Sequence, residues 1–524
     1  MSYLVPDNSS YEGFWMELAN KASQGVFEQK PVFKGLCYIM LQTAEREEKD
    51  KGLQNLKYSN EFLNFLVVLG SISLKALDLF RQNLAGMTIR SIRHHRSISE
   101  DAIKNPDLCY ENVARFKRLL DSLHYKGPVV AMTDYTILKA GLQYSTNLGC
   151  INLRSSGATS KFPPVIVALI PTKNDNAKEI FALHQKLIEI AADLELHIIS
   201  IGSDGAAPEF QAQNLLQSTK TRNRVQHRNS QFGINFNCPI FPKVGPLIRV
   251  QDPKHGKKTA RNAVMSGARL LTFGNSTVRF DQLLKLSLQE DSIMYKRDVI
   301  KLDRQDDNAA YRVFCSKNLA QVLDEEGTLS SESRGLFVYL FVMGELLDSY
   351  LNRNVTHHER IEMAMTAYFF LHLWNLVESL ILLIKIHRDY YKNIPLLPWK
   401  HGTESCEHIF GISRQFCADF NYLEIVQMVP KINQYLRSIL SENLLFRKEK
   451  KVREGYDFNE YEEINLSDNN IECLRYWPSD VEIDNAISTG YERAIHLARY
   501  LEMTAIPNDA HYFNIHMGRF GSIH

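Results

Sequence analysis

The sequence has almost no net charge. Its 61 Lys and Arg stand against 60 Asp and Glu, leaving +1. No global basic bias announces a nucleic-acid partner, so any nucleic-acid surface must be built from local patches. Three stretches qualify, Arg90 to Arg96 (RSIRHHR), Lys220 to Arg228 (KTRNRVQHR) and Arg447 to Arg453 (RKEKKVR), though a solvated face explains any one of them as well. Cysteine is sparse too. The eight residues, at 37, 109, 150, 238, 315, 406, 417 and 473, include no CxxC and no pair at zinc-finger spacing, which excludes a zinc ribbon and a disulfide scaffold. A reducing intracellular compartment fits best. The opening residues MSYLVPDNSSYEGF lack the basic and apolar regions of a signal peptide. Long hydrophobic runs are missing as well. The most apolar stretch, Met363 to His387, carries His372, Asn375, Glu378 and Lys385, which makes spanning a membrane expensive and points to a buried amphipathic helix. There is no internal repeat, no low-complexity tract and no GxxxxGK[ST].

What is present is a chain able to bury several cores. Its hydrophobic residues make up 44% and charged residues 23% of 524 positions, ordinary for a globular protein of roughly three or four domains. Residues 1–50 are weakly patterned and end in the charge run EREEKDKG. Ser59 reads as an N-cap, and apolar periodicity from Phe62 onward predicts a helical domain over 51–125, broken near Gly86. The pattern then changes. Val129 to Met132 predicts a short buried strand ending at Thr133-Asp134. Gln143 to Leu153 is rich in Thr, Tyr and Asn. Val165 to Ile170 is an unbroken apolar run suited to a central strand. Ile180, Leu183, Leu187, Ile190 and Ala191 share a helix face. Leu196 to Ile201 predicts a strand ending at Gly202-Ser203-Asp204-Gly205, and Pro246 to Val250 one ending at Gln251-Asp252-Pro253-Lys254-His255. The expected fold class is therefore α/β over 126–262 with large all-α parts. Helical patterning replaces strands over 263–395, a helix begins near Glu404 within 396–430, and 431–524 is a C-terminal helical region.

The acidic residues at these strand ends carry the chemistry. Carboxylates at the ends of neighbouring buried strands lie where open α/β sheets place ligands. Their hard oxygens suit Mg²⁺ or Mn²⁺. Asp134 and Asp204 are the first two candidates, although a strand-end Asp is also a common turn or helix cap. The third comes from Glu404 and Glu407, three residues apart and so on one helix face. Three such carboxylates would complete a two-metal site for in-line displacement at phosphorus. Asp252 and His255 are secondary candidates, His255 as a phosphate or orienting group.

The same residues resemble the P-element-type DNA transposases, the family that includes the THAP-domain transposase-derived proteins. Three blocks carry the resemblance, in order: the strand ending in Asp134; Ser203-Asp204-Gly205-Ala206 with Asp252-Pro253-Lys254-His255, Lys258 and Arg261-Asn262, similar to the family's Asp-Pro-Pro-His block; and Cys406-Glu407-His408-Ile409-Phe410-Gly411, similar to its Leu-Glu-Asn-Phe-Phe-Gly block. The resemblance covers roughly 55–430 and picks Glu407 over Glu404. It implies an RNase H-like core interrupted by an all-helical insertion, with Asp134, Asp204 and Glu407 as catalytic, metal-binding residues. It further implies Mg²⁺ or Mn²⁺ in a two-metal site, DNA cleavage and strand transfer, nuclear location, a DNA partner and a homo-oligomer, without a membrane. GTP binding follows from it by analogy alone. Departures are Lys254 for the family's second Pro, Gly256 after His255, and His408 for Asn. The family's N-terminal THAP zinc finger is not visible. A fragment, recognition of DNA by the 55–123 helices and a domesticated remnant all fit that. A catalytically silent, transposase-derived DNA- or protein-binding protein is the alternative, since a silent relative can keep the carboxylates.

Overall fold

Five runs of apolar and β-branched residues form the central sheet: β1 (Val129–Ile137), β2 (Asn147–Ser155), β3 (Val165–Thr172), β4 (Ile198–Ser203) and β8 (Ile248–Gln251), in the order β3-β2-β1-β4-β8. β1 to β3 form an antiparallel meander, while β4 and β8 run parallel to β1. Val129 to Met132, Ile166 to Leu169 and Ile198 to Ile201 are almost entirely buried, as expected for strands covered on both faces. In this computed structural model, residues 11–52, 54–97, 103–139, 147–157, 163–172, 176–266, 271–300, 303–323, 326–440 and 468–503 are described. The basic stretch Arg447 to Arg453 lies outside them, as does part of Gln143 to Leu153.

Two compact units divide the chain. One holds residues 105–160, 164–410 and 450–524; the other holds 1–104, 161–163 and 411–449. The larger unit contains the sheet. Between β3 and β4 runs the helix Ala177–Asp193, started by a capping box of Asn176 and Glu179. The helix Ala207–Gln217 follows β4, and Pro253–Met265 follows β8. Between them lie β5 (Arg224–Asn229), β6 (Ile234–Phe241) and β7 (Gly245–Pro246), in a separate small sheet. In the smaller unit the helix Asn60–Ile72 begins at Ser59, whose hydroxyl accepts the Phe62 N–H. It packs on Pro31–Glu47 and on Tyr422–Leu440. Ile39, Phe62, Leu66, Val67, Leu77 and Ile92 form a core cluster there.

Three sequence expectations are corrected. Asp134 does not end its strand: β1 continues to Ile137, and Asp134 sits opposite Cys150 of β2. The pairing with β4 does stop earlier, at Met132 opposite Gly202, so β1 is free of β4 where Asp134 occurs. The stretch 263–395 is not purely helical, because β9 (Leu271–Phe273) and β10 (Ser276–Val278) form a hairpin inside it. The apolar stretch Met363 to His387 is two helices, His357–Leu371 and Asn375–Tyr390, separated at His372 with φ 53°. The basic stretch Lys220 to Arg228 enters β5, where Arg224 donates to the carbonyls of Gln217 and Thr219, while Lys220, Arg222 and Arg228 stay exposed. No helix among the described residues is long and apolar enough to cross a membrane.

Candidate active site

The helix Glu404–Phe416 starts on the sheet. Asn152 of β2 donates to Cys406 Sγ at 2.9 Å, and Arg154 donates to Ser405 Oγ at 2.7 Å. Cys406 Sγ lies 3.9 Å from the Cys150 carbonyl, and Cys150 is the register partner of Asp134. Side chains alternate faces along a strand, so Asp134 shares the face of β1 and β2 that carries this helix. The turn before the helix fits between two strands. Ser200 Oγ of β4 meets His401 Nδ1 at 2.7 Å. A Cβ on Gly202 would fall 2.4 Å from the His401 carbonyl, and one on Gly402 would strike the Asp252 carboxylate. Backbone contact at both glycines brings β4, the start of the Glu404 helix and Asp252 together.

Asp204 directly follows β4. Its Oδ1 accepts the Ala206 N–H at 2.9 Å, and Gly205 takes φ 83° to turn the chain into the next helix. Asp252 follows β8, is buried, and caps the helix Pro253–Met265 by accepting from the amides of Lys254 and His255. Its own amide donates to the Ser203 carbonyl at 2.8 Å, which places it beside Asp204. Asp252 is thus a helix cap as well as a member of the cluster. His255 lies in the first turn of that helix.

These groups act on one another. Burial pushes the Asp134 carboxyl well above the usual carboxylate range; Glu407, Asp204 and Asp252 add to the rise, against the Tyr135 N–H that donates to it. Burial likewise raises Asp204, helped by Glu209 and Asp252 and opposed by the Ala206 N–H and by His255. Glu407 is pushed up to about 7, first by burial, with Asp252 and Asp307 adding to it against Lys258 and Lys254. Lys258 is held above its ordinary value: burial opposes the charge, and Glu407, Asp307 and Asp252 outweigh it. Its ammonium lies 3.3 Å from Glu407 Oε1 and 3.1 Å from Asp307 Oδ1. Lys254 pairs with Glu404. Glu407 Oε2 is buried and has no hydrogen-bond partner.

The structure therefore brings Asp134, Asp204, Glu407, Asp252 and His255 into one electrostatic cluster and commits Glu404 to Lys254. Sequence reasoning missed Glu209 and Asp307. Glu209 lies in the first turn of the helix Ala207–Gln217, and only its spacing after Asp204 could have drawn attention to it. Asp307 begins a helix in the 263–395 stretch, and no local pattern marks it. The donor set is hard oxygen, and Glu407 Oε2 is an orphaned buried acceptor; both suit Mg²⁺ or Mn²⁺. As arranged, however, no three His, Cys, Asp or Glu among the described residues are grouped to hold a metal ion. Lys258 and Lys254 stand among the carboxylates, and Asp204 and Asp252 each spend oxygens on backbone amides.

No family model matches the chain, and no curated protein matches it. A solved structure does: the Drosophila P element transposase strand transfer complex. The likeness is one of fold. It extends over 75% of this chain and 95% of that one, with a TM-score of 0.54 and 13% sequence identity. The mixed five-stranded sheet and the helices around it thus follow the architecture of a transposase chain.

Proposed function

We propose that this chain is a transposase-like enzyme that cuts and joins DNA phosphodiester bonds, with Asp134, Asp204 and Glu407 as its metal-binding carboxylates. The observation that carries the reading is that Asp134, buried on β1 on the face that carries the Glu404 helix, is raised by both Glu407 and Asp204. Like charges concentrated in a buried site favour a cation. The strand order adds support: an antiparallel meander of three strands, then two parallel strands, is the order of an RNase H-like core. In this reading 126–262 and 396–410 form that core and 263–395 interrupts it; the rest of the expected 396–430 segment falls in the other unit.

Bound divalent ions would supply charge stabilisation and acidify a water or 3′-hydroxyl. The chain's residues supply the rest. β1 holds Asp134 on a rigid strand, the 401–403 turn fixes the helix that carries Glu407, and Lys258 pairs with Glu407 at 3.3 Å. The substrate in this proposal is DNA, and the site of action that goes with it is the nucleus. GTP has no residue here assigned to it.

Nicking of supercoiled DNA in Mn²⁺ tests the proposal. Wild-type protein nicks, Glu407→Gln falls to background with its fold intact, and Glu404→Gln stays close to wild type. Equal nicking by wild type and Glu407→Gln sinks Glu407 as a ligand. A second reading, a catalytically silent DNA-binding relative, is favoured by the two lysines that already neutralise Glu407 and Glu404. It predicts DNA binding in EDTA, with neither nicking nor Mn²⁺ binding by the wild type.

A further inference from the structure

We propose that Glu209 is a positioning residue that sets the separation of Asp134 and Asp204; the inference rests on the reading of those two aspartates as one site. Glu209 is 1% exposed and lies on the face of the sheet opposite the Glu407 helix. Its Oε1 accepts from Thr133 Oγ1 at 2.7 Å, and its Oε2 lies 3.4 Å from the Tyr135 hydroxyl. His184 Nε2 is 3.2 Å from Oε1, off the line of a hydrogen bond. Thr133 and Tyr135 bracket Asp134, so one carboxylate grips β1 on both sides of the aspartate.

The grip falls where β1 needs it. Pairing with β4 ends at Met132 opposite Gly202; beyond that point β1 continues its pairing with β2 as far as Ile137. Thr133 Oγ1 also lies 3.3 Å from the Gly202 carbonyl of β4. At its other end Glu209 belongs to the helix that leaves β4 through Asp204, five positions earlier. A single buried side chain thus links the neighbours of one candidate ligand to the helix that follows the other. Such outer partners orient ligands without touching the bound group. The arrangement is specific to a carboxylate-length acceptor: an apolar residue here would take from the buried Thr133 hydroxyl its 2.7 Å acceptor and from the half-buried Tyr135 hydroxyl its contact.

The test uses the full chain and two readouts. The first is amide hydrogen exchange at Tyr135 and Ala206, whose N–H groups donate to Asp134 and Asp204. Glu209→Ala is expected to speed exchange at both by about tenfold or more while Val167 and Leu382 keep their rates. Glu209→Gln, which still accepts from Thr133, is expected to restore most of the protection. The second readout is Mn²⁺ affinity. Glu209→Ala should lower it about 10- to 100-fold, and Glu209→Gln should lower it less. Unchanged exchange at Tyr135 and Ala206, or acceleration spread evenly through the sheet, overturns the proposal. Wild-type protein that binds no Mn²⁺ ends the metal reading instead, and exchange alone then judges Glu209. Should Glu209→Ala fail to fold, Thr133→Val removes the donor at similar size. Faster exchange at Tyr135 in that variant supports the clamp, and an unchanged rate overturns it.

Discussion

Glu407 is the residue whose ionisation most directly reports the state of the site. Its carboxyl is pushed up to about 7, chiefly by burial, whereas an unfolded chain holds a glutamate near 4.3. A raised carboxyl means that the folded state binds more protons than the unfolded state between those two values. Stability from this group is complete below the unfolded value and is lost as pH rises through about 7. Glu407→Gln removes that dependence. The difference in stability between variant and wild type, measured without metal, should therefore shift toward the variant from pH 5 to pH 8. The shift is on the order of 1–3 kcal/mol. Removing the Lys258 partner adds an offset, but Lys258 keeps Asp307 and stays charged over the whole range. A difference that is flat across pH would show that Glu407 does not titrate where its surroundings put it.

At the scale of elements, two glycines set the approach of the Glu404 helix to the sheet. Gly202 lies within β4, and a methyl group there would meet the backbone carbonyls of His401 and Gly402 at 2.4 and 2.9 Å. Backbone cannot step aside as a flexible side chain can. Gly202→Ala is expected to destabilise the sheet unit by about 1–3 kcal/mol, read as earlier denaturation and faster exchange of the β4 amides. Gly411 is the contrast. It is helical and has nothing within 4 Å of an added Cβ, so Gly411→Ala should stabilise by about 0.5–1 kcal/mol. A Gly202→Ala protein as stable as wild type would mean that the 401–403 turn is loosely held. These elements were legible to different degrees. Continuous apolar runs marked β3 and β4, and the acids following β4 and β8 marked their ends. Asp134 read as a strand end because hydrophobicity stops at Met132, while β1 continues on pairing with β2 that no local pattern encodes. β5 was hidden by its charges: Val225, His227 and Asn229 face inward between exposed polar residues. Glu209 was invisible because its partners lie some 75 positions earlier, on a strand it meets only in the fold.

For the whole molecule, the order of blocks was legible and the boundaries between compact units were not. A sheet, a mostly helical stretch and a returning acidic helix follow one another as the sequence suggests. The 51–125 stretch, however, divides between the two units. The helix Tyr110–Ser122 joins the sheet unit because Asn112 and Arg115 donate to the carbonyls of Val167 and Ile166 at 3.0 and 2.6 Å. Residues 411–449 belong with 1–104. Chain segments that meet across more than 300 positions leave no periodicity to read. That closure has a measurable consequence. Ile432 is fully buried on the helix Tyr422–Leu440, which packs on Asn60–Ile72. Truncating a buried Ile to Ala costs about 2–5 kcal/mol, and the loss should appear in the unit that contains the cavity. Ile432→Ala is expected to speed hydrogen exchange across 60–72, and to leave Asn375–Tyr390 at its wild-type rate. Ile39→Ala, nearly 400 positions earlier, should give the same pattern, since both residues support the same helix. Protection of 60–72 unchanged by Ile432→Ala would mean that 411–449 only lies against this unit, and that 1–104 sustains its core alone.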